Sequence, residues 1–269
     1  MGKGLNLLRN YFQRKPEVIL AFLFGSISKE REIEESDMDI AVYLKENENQ
    51  LDNIRSEITT LVNREVDLIN MKEAPATLIS NILKTGIPLT IKDRNLYWNI
   101  YLEKSLEAED FCHFLEDFRS IYQKSKSLIP EEKARLLERV QFLESEFEDI
   151  EELKNLKFKE YHDDKVKRRN IERWTENILN ATIDIAKIVL ASERKKMPKT
   201  YEQALFNFIL LTGADEKEVK EFSHFSTLRN ILAHEYLDIL YQRIQDFISK
   251  APHFYTKIFA FLETYLEEG

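Results

Sequence analysis

Every run that reads as a β-strand in this sequence lies before Asp93. The runs "EVILAFLFG", "MDIAVYL", "EVDLIN" and "IPLTI" are short, rich in β-branched and aromatic residues, and bounded by polar, Gly or Pro positions. Helical signals alternate with them: a start running to about Gln13, a tract around 50–63, and "EAPATLISNILKTG", with Pro75 early in a helix and Gly86 after it. From Asp93 onwards apolar positions recur only with helical period. They run through "LYWNIYLEKSLEAEDFCHFLEDFRSIYQKSKSL", stop at "IPEE", and resume near 131–158, 166–195, 200–211, 216–235 and 239–266. A chain divided in this way is α+β, a small α/β unit followed by an antiparallel helix bundle. Pro130 followed by two glutamates reads as a helix N-terminus, which sets domains of 1–128 and 129–269.

Composition narrows the setting. With 32% charged residues and only 6 Gly and 6 Pro, the chain is neither fibrous nor low in complexity. No apolar run approaches the roughly 20 residues of a membrane span, and the first residues carry no signal-peptide core, so a cytoplasmic protein without a membrane partner is expected. Cys112 is the single cysteine and has no Cys/His cluster around it, which leaves neither a disulfide nor a structural zinc. The net charge of -9 divides almost evenly between the halves and argues against a broad duplex-binding surface. "KVKRR" (165–169) and "RKKMPK" (194–199) are the local basic runs, and each reads as a solvated helix end.

The stretch "LFGSISKEREIEESDMDIAVYL" places Asp37 and Asp39 one residue apart at the start of a strand, where side chains at i and i+2 share a face. Two adjacent carboxylates repel unless a cation lies between them, and an oxygen-only ligand set suits Mg²⁺. Asp67 in "EVDLIN" has the same apolar flanks in a neighbouring strand and supplies a third carboxylate. Gly25 lets a phosphate approach the backbone, and Ser26 offers a hydroxyl and an N–H. Metal and phosphate together indicate a nucleotide.

This pattern, Gly-Ser, ten residues, Asp-x-Asp, then a later strand Asp, resembles the minimal nucleotidyltransferase (MNT) domain of the DNA polymerase β superfamily over roughly residues 1–128. The resemblance implies a mixed sheet and transfer of a nucleoside monophosphate from an NTP. Asp37 and Asp39 would be metal ligands, Asp67 a third ligand or the base, and Gly25 and Ser26 would hold the phosphates. Many members follow Gly-Ser with a small residue, Arg and Gly. Here "ISKE" puts Ser28, Lys29 and Glu30 there, with Lys29 in place of the Arg on the phosphates and the Gly missing.

The helical half has its own run, "LRNILAHEYLDI". On one helix Asn230 and His234 are a turn apart, whereas Arg229 and His234 are about 140° apart around the axis, so two copies about a twofold axis would complete a pocket. The R-x4-H-x-Y run, with Asn after the Arg, resembles the HEPN (higher eukaryotes and prokaryotes nucleotide-binding) family, in the toxin-like branch found beside MNT partners. It implies a metal-independent endoribonuclease acting on RNA, in which Arg229 stabilises phosphate charge, His234 moves protons and Asn230 orients the pocket. His113, His162, His224 and His253 have no such company and read as structural.

Joined in one chain, the two halves resemble a toxin–antitoxin pair. In that family the transferase adenylylates the motif tyrosine, Tyr236 here, using ATP with Mg²⁺, and so silences the ribonuclease. A homodimer through the helical half is expected. The rival readings are a small-molecule nucleotidyltransferase whose helical half shapes the acceptor site, and a non-catalytic antitoxin or nucleotide-sensing fusion.

Overall fold

The computed structural model describes residues 2–25, 38–45, 50–124, 127–234 and 241–268. They fall in two compact units, Met1–Asp110 and Phe111–Gly269. In the first, β1 (Val18–Phe24), β2 (Met38–Leu44), β3 (Val66–Asn70) and β4 (Ile87–Ile91) form one sheet in the order β3-β2-β1-β4. β1 is antiparallel to β2 and β4, while β2 and β3 are parallel, so the sheet is mixed.

Alternation sorts the strand side chains onto two faces. Met38, Ile40, Val42 and Leu44 pack with Val18, Ala21 and Leu23 under α1 (Gly2–Arg14) and α2 (Leu51–Val62), which contribute Leu8, Phe12, Ile54 and Ile58. Leu20, Phe22 and Ala41 face the other way, against Ile79, Ile82 and Leu83 of α3 (Ala76–Thr85) and Ile100 early in α4 (Arg94–Lys124). β1 serves both layers by this alternation, with a register shift between Val18 and Leu20. α3 starts after Pro75 and stops at Gly86, whose N–H donates to the Ile82 carbonyl at 2.8 Å.

The later residues of α4, Phe111, Phe114, Phe118 and Ile121, belong to the core of the helical unit. By packing, the division therefore falls inside α4, ahead of the junction read at Pro130. α5 (Pro130–Glu148) does begin on that proline, where its missing N–H costs nothing. α6 (Ile150–Lys154), α7 (Phe158–Asp163), α8 (Lys165–Ser192), α9 (Tyr201–Leu211), α10 (Glu216–Ser223), α11 (Phe225–His234) and α12 (Tyr241–Glu268) follow. The tract expected over 131–158 is broken after Glu148, and the one over 216–235 is interrupted at His224; α7 was not anticipated.

Several starts are fixed by side-chain caps. Asp164 accepts from the N–H groups of Val166 and Lys167, Thr200 accepts from Gln203, and Asp215 and Glu218 cap each other reciprocally. Each such cap stabilises its helix by about 1 kcal/mol. α8 is the central rod, with Ile178, Leu179, Ile185, Val189 and Leu190 all fully buried. Phe222 packs its ring against Phe225, Phe254 and Tyr255, and removing a fully buried Phe costs about 3–5 kcal/mol.

Charged groups also tie helices together. Asp117 of α4 pairs with Arg135 of α5 and Lys187 of α8, both at 2.8 Å, and Arg135 reaches the buried Glu132 at 2.7 Å. Partial burial pushes the Asp117 carboxyl up, but the bonds and charges of Arg135 and Lys187 outweigh this and bring it down to about 2. Among the described residues no helix is long and apolar enough to cross a membrane.

Candidate functional site

Two sites were expected from the sequence, and each is built within its own unit. In the first, β2 begins beside the ends of β1 and β3: Asp39 is the register partner of Phe24 on one side and of Asp67 on the other. Partners in adjacent parallel strands direct their side chains to the same face, so the Asp39 and Asp67 carboxylates are neighbours. Asp39 is half-buried and Asp67 exposed. Gly25, the next residue after β1, has φ +81°, in the region that favours glycine. A Cβ there would lie 2.9 Å from the Asp39 carboxyl carbon, and the nearer carboxylate oxygen would be closer still. The glycine is therefore required twice, by its backbone angle and by the carboxylate lying against it.

Asp39 is thus brought beside both Gly25 and Asp67. Asp37, Ser26, Ser28, Lys29 and Glu30 lie outside the described residues. Among the described residues no group of three or more His, Cys, Asp or Glu is placed to hold a metal ion. The donors that are described, two carboxylates on one face beside a glycine that admits close approach, fit a hard cation such as Mg²⁺ with phosphate oxygens.

In the second unit α11 carries Arg229 and Asn230, and its last residue is His234; the His234 side chain and Tyr236 lie outside the described residues. Arg229 is only 8% exposed, so its guanidinium needs partners from within the bundle. Its Nε donates to Asn180 Oδ1 at 2.7 Å, and Nη1 lies 3.5 Å from Asn230 Oδ1. The guanidinium carbon stands 4.8 Å from the ring centroid of Tyr201, a cation–π contact. Tyr201 is held in turn by edge contacts with Phe111 and Phe114, at 5.0 and 5.5 Å between centroids.

Asn180 on α8 and Tyr201 at the start of α9 were not singled out from the sequence. The available signal for Asn180 was one amide in the largely apolar run "ILNATIDIAKIVLA", which also carries Thr182, Asp184 and Lys187. Tyr201 gives no such signal, because it follows the Thr200 cap like any first helical residue. The arrangement fixes one flat cation by a hydrogen bond at its edge and a ring at its face. This limits the side chain's freedom and orients its remaining donors.

Comparison with known proteins matches both units. Residues 6–95 fit the family model for polymerase beta nucleotidyltransferases, and residues 143–263 fit the model for HepT-like ribonucleases. Gly25, Asp39 and Asp67 lie within the first span, and Asn180, Tyr201 and Arg229 within the second. No curated protein matches the chain. Solved structures that resemble it include a toxin–antitoxin complex with AMP-PNP, 21% identical, with a TM-score of 0.35, covering 45% of this chain and 93% of the other. A tri-AMPylated Shewanella oneidensis HEPN toxin in complex with MNT antitoxin is 18% identical, with a TM-score of 0.34, covering 44% and 94%. A MntA-HepT toxin–antitoxin structure is 19% identical, with a TM-score of 0.33, covering 45% and 95%. The chain joins a polymerase-β-type nucleotidyltransferase domain to a HepT-like helical domain.

Proposed function

We propose that the first unit transfers AMP from ATP to Tyr236 and that the second is an endoribonuclease silenced by this modification. The observation that carries the reading is the presence in one chain of Asp39, set against Gly25 and paired in register with Asp67, and of an "RNILAHEY" sequence whose Arg229, on α11, is seated by Asn180 and Tyr201. Either constellation alone has an ordinary structural explanation. Together they supply a transferase and an acceptor tyrosine in one polypeptide.

In this account the Tyr236 hydroxyl oxygen attacks the α-phosphorus of ATP, the bond to pyrophosphate breaks, and the phenolic proton passes to a carboxylate, for which Asp67 is the candidate. Asp37, Asp39 and Asp67 would hold Mg²⁺, which when bound neutralises phosphate charge and activates the acceptor oxygen. Gly25 lets the phosphates approach the backbone, and Ser26 and Lys29 would contact them. On the ribonuclease side Arg229 stabilises the charge of the scissile phosphate, His234 moves the protons and Asn230 orients the pocket. An AMP on Tyr236 adds bulk and negative charge beside Arg229 and competes with RNA for it.

Two copies are proposed to complete the ribonuclease pocket, because Arg229 and His234 sit about 140° apart on one helix. A cytoplasmic setting, where ATP is supplied, goes with this reading. The test compares RNA cleavage by four purified forms: the intact chain, Asp37→Asn with Asp39→Asn, His234→Ala, and the combination. The paired aspartate variant should cleave and the other three should not, with EDTA leaving that cleavage intact. A paired variant as inert as the intact chain would contradict silencing by AMP.

A further inference from the structure

We infer that the corner between α7 and α8 is a docking surface for single-stranded RNA, an inference that rests on the ribonuclease reading and names how its substrate is held. The sequence marked "KVKRR" only as a basic helix end. In the structure Lys165, Arg169 and Arg173 follow at intervals of four along α8 and form one exposed stripe. Beside it Phe158 is 57% exposed and Val166 66%, in a unit whose other phenylalanines are largely packed away. An open depression of about 630 Å³ at this corner is lined by three lysines, Lys159, Lys165 and Lys167, by Val166, and by the acids Glu160, Asp163 and Asp164.

The acidic residues here are engaged locally. Glu160 binds Lys167 Nζ at 2.8 Å and the Lys157 N–H at 3.2 Å, and Asp163 contacts His162 at 3.0 Å. Asp164 caps α8, and Glu172 accepts from the Tyr161 hydroxyl at 2.6 Å. Among the described residues no ion pair involves Lys159, Lys165 or Arg169. Cations left over beside an exposed ring suit a strand with a phosphate backbone and unstacked bases, since every base has a face to stack. An acidic protein partner would use the charges but not the ring.

The position fits the same substrate. Phe158 lies 5.9 Å from His162 with the rings tilted and meets Tyr241 edge-on at 5.3 Å, and Tyr161 lies 5.2 Å from Tyr241. Tyr241 is the first residue of α12 and follows the "RNILAHEY" run closely in the sequence.

The test uses the full chain carrying Asp37→Asn, Asp39→Asn and His234→Ala, with a labelled single-stranded RNA of about a dozen nucleotides. Lys165→Gln with Arg169→Gln should weaken binding about tenfold and reduce the slope of log K against log salt by about 1.4, at about 0.7 per phosphate contact on a single strand. Phe158→Ala should weaken binding about tenfold with the slope unchanged. Lys195→Gln with Lys196→Gln, in the other basic run, should change neither. Absence of binding by the parent, or an unchanged affinity and slope in the charge variant, overturns the surface. So does a change in oligomeric mass in Phe158→Ala, which would mark an interface between copies. Cleavage by the paired Asp37 and Asp39 variant reports on the ribonuclease reading separately.

Discussion

The carboxylate of Asp39 lies against the backbone of Gly25, so close that a Cβ at Gly25 would stand 2.9 Å from the carboxyl carbon. Gly25 directly follows β1 and Asp39 lies in β2, and the Phe24–Asp39 register brings them together. A glycine fourteen positions before an aspartate is thus the partner that shapes the aspartate's setting.

Gly25→Ala should therefore impair transfer without removing any chemical group. A positive φ costs a non-glycine residue about 1–2 kcal/mol, and the Asp39 side chain must also move. The expected outcome is at least a tenfold loss of AMP incorporation with a modest fall in melting temperature. Wild-type incorporation in this variant would mean that the Asp39 position is unimportant for the chemistry.

Asp67→Asn keeps the shape of a side chain that sits exposed beside Asp39 and removes its charge. Pyrophosphate release from Mg-ATP should fall by at least a hundredfold, and EDTA should suppress release by the unmodified chain to the same level. A release assay across a Mg²⁺ titration checks both. An Asp67→Asn form that responds to Mg²⁺ like the wild type would remove this carboxylate from the site.

Asn180 and Tyr201 are expected to act through Arg229. Asn180→Asp puts a carboxylate at Nε and neutralises the cation locally, so cleavage in the Asp37→Asn, Asp39→Asn background should fall more than tenfold with no loss of melting temperature. Tyr201→Phe keeps the ring face and should retain cleavage, whereas Tyr201→Leu should lose it chiefly in kcat. A purely structural role for the pair predicts instead that activity follows thermal stability across all three variants.

The α/β unit was legible in the sequence because its strands are short apolar runs with unambiguous ends, and because Asp39 and Asp67 sit at matching places within theirs. The helical unit was legible as a set of tracts, but not their breaks. His224 interrupts a helix with no Gly or Pro beside it, and the α7 corner turns on Asp164, a cap that also reads as an ordinary surface acid. Asn180 and Tyr201 were not legible as site residues because their role exists only once α8, α9 and α11 have packed. Arg229 was found as a motif residue, but its 8% exposure and its seat are properties of the bundle.

Acid stability offers a test of the helical unit itself. Asp117 titrates near 2 in the folded chain, below its unfolded value of 3.8, so the stabilisation from its pairs with Arg135 and Lys187 is fully present above that unfolded value. It is lost as pH falls through about 2. Urea unfolding followed from pH 6 down to 2 should show stability declining most steeply below about 4, and Asp117→Asn should flatten that part of the curve. An unaltered slope in the variant would show that other carboxylates dominate.

The proposed reaction leaves AMP on Tyr236. Intact-mass spectrometry with peptide mapping, on protein stripped of any modification and then incubated with Mg-ATP, tests it most directly. Increments of AMP mass are expected on the peptide containing Tyr236, absent from Asp37→Asn with Asp39→Asn and absent from Tyr236→Phe. An unmodified wild-type chain, or equal labelling of Tyr236→Phe, would contradict it.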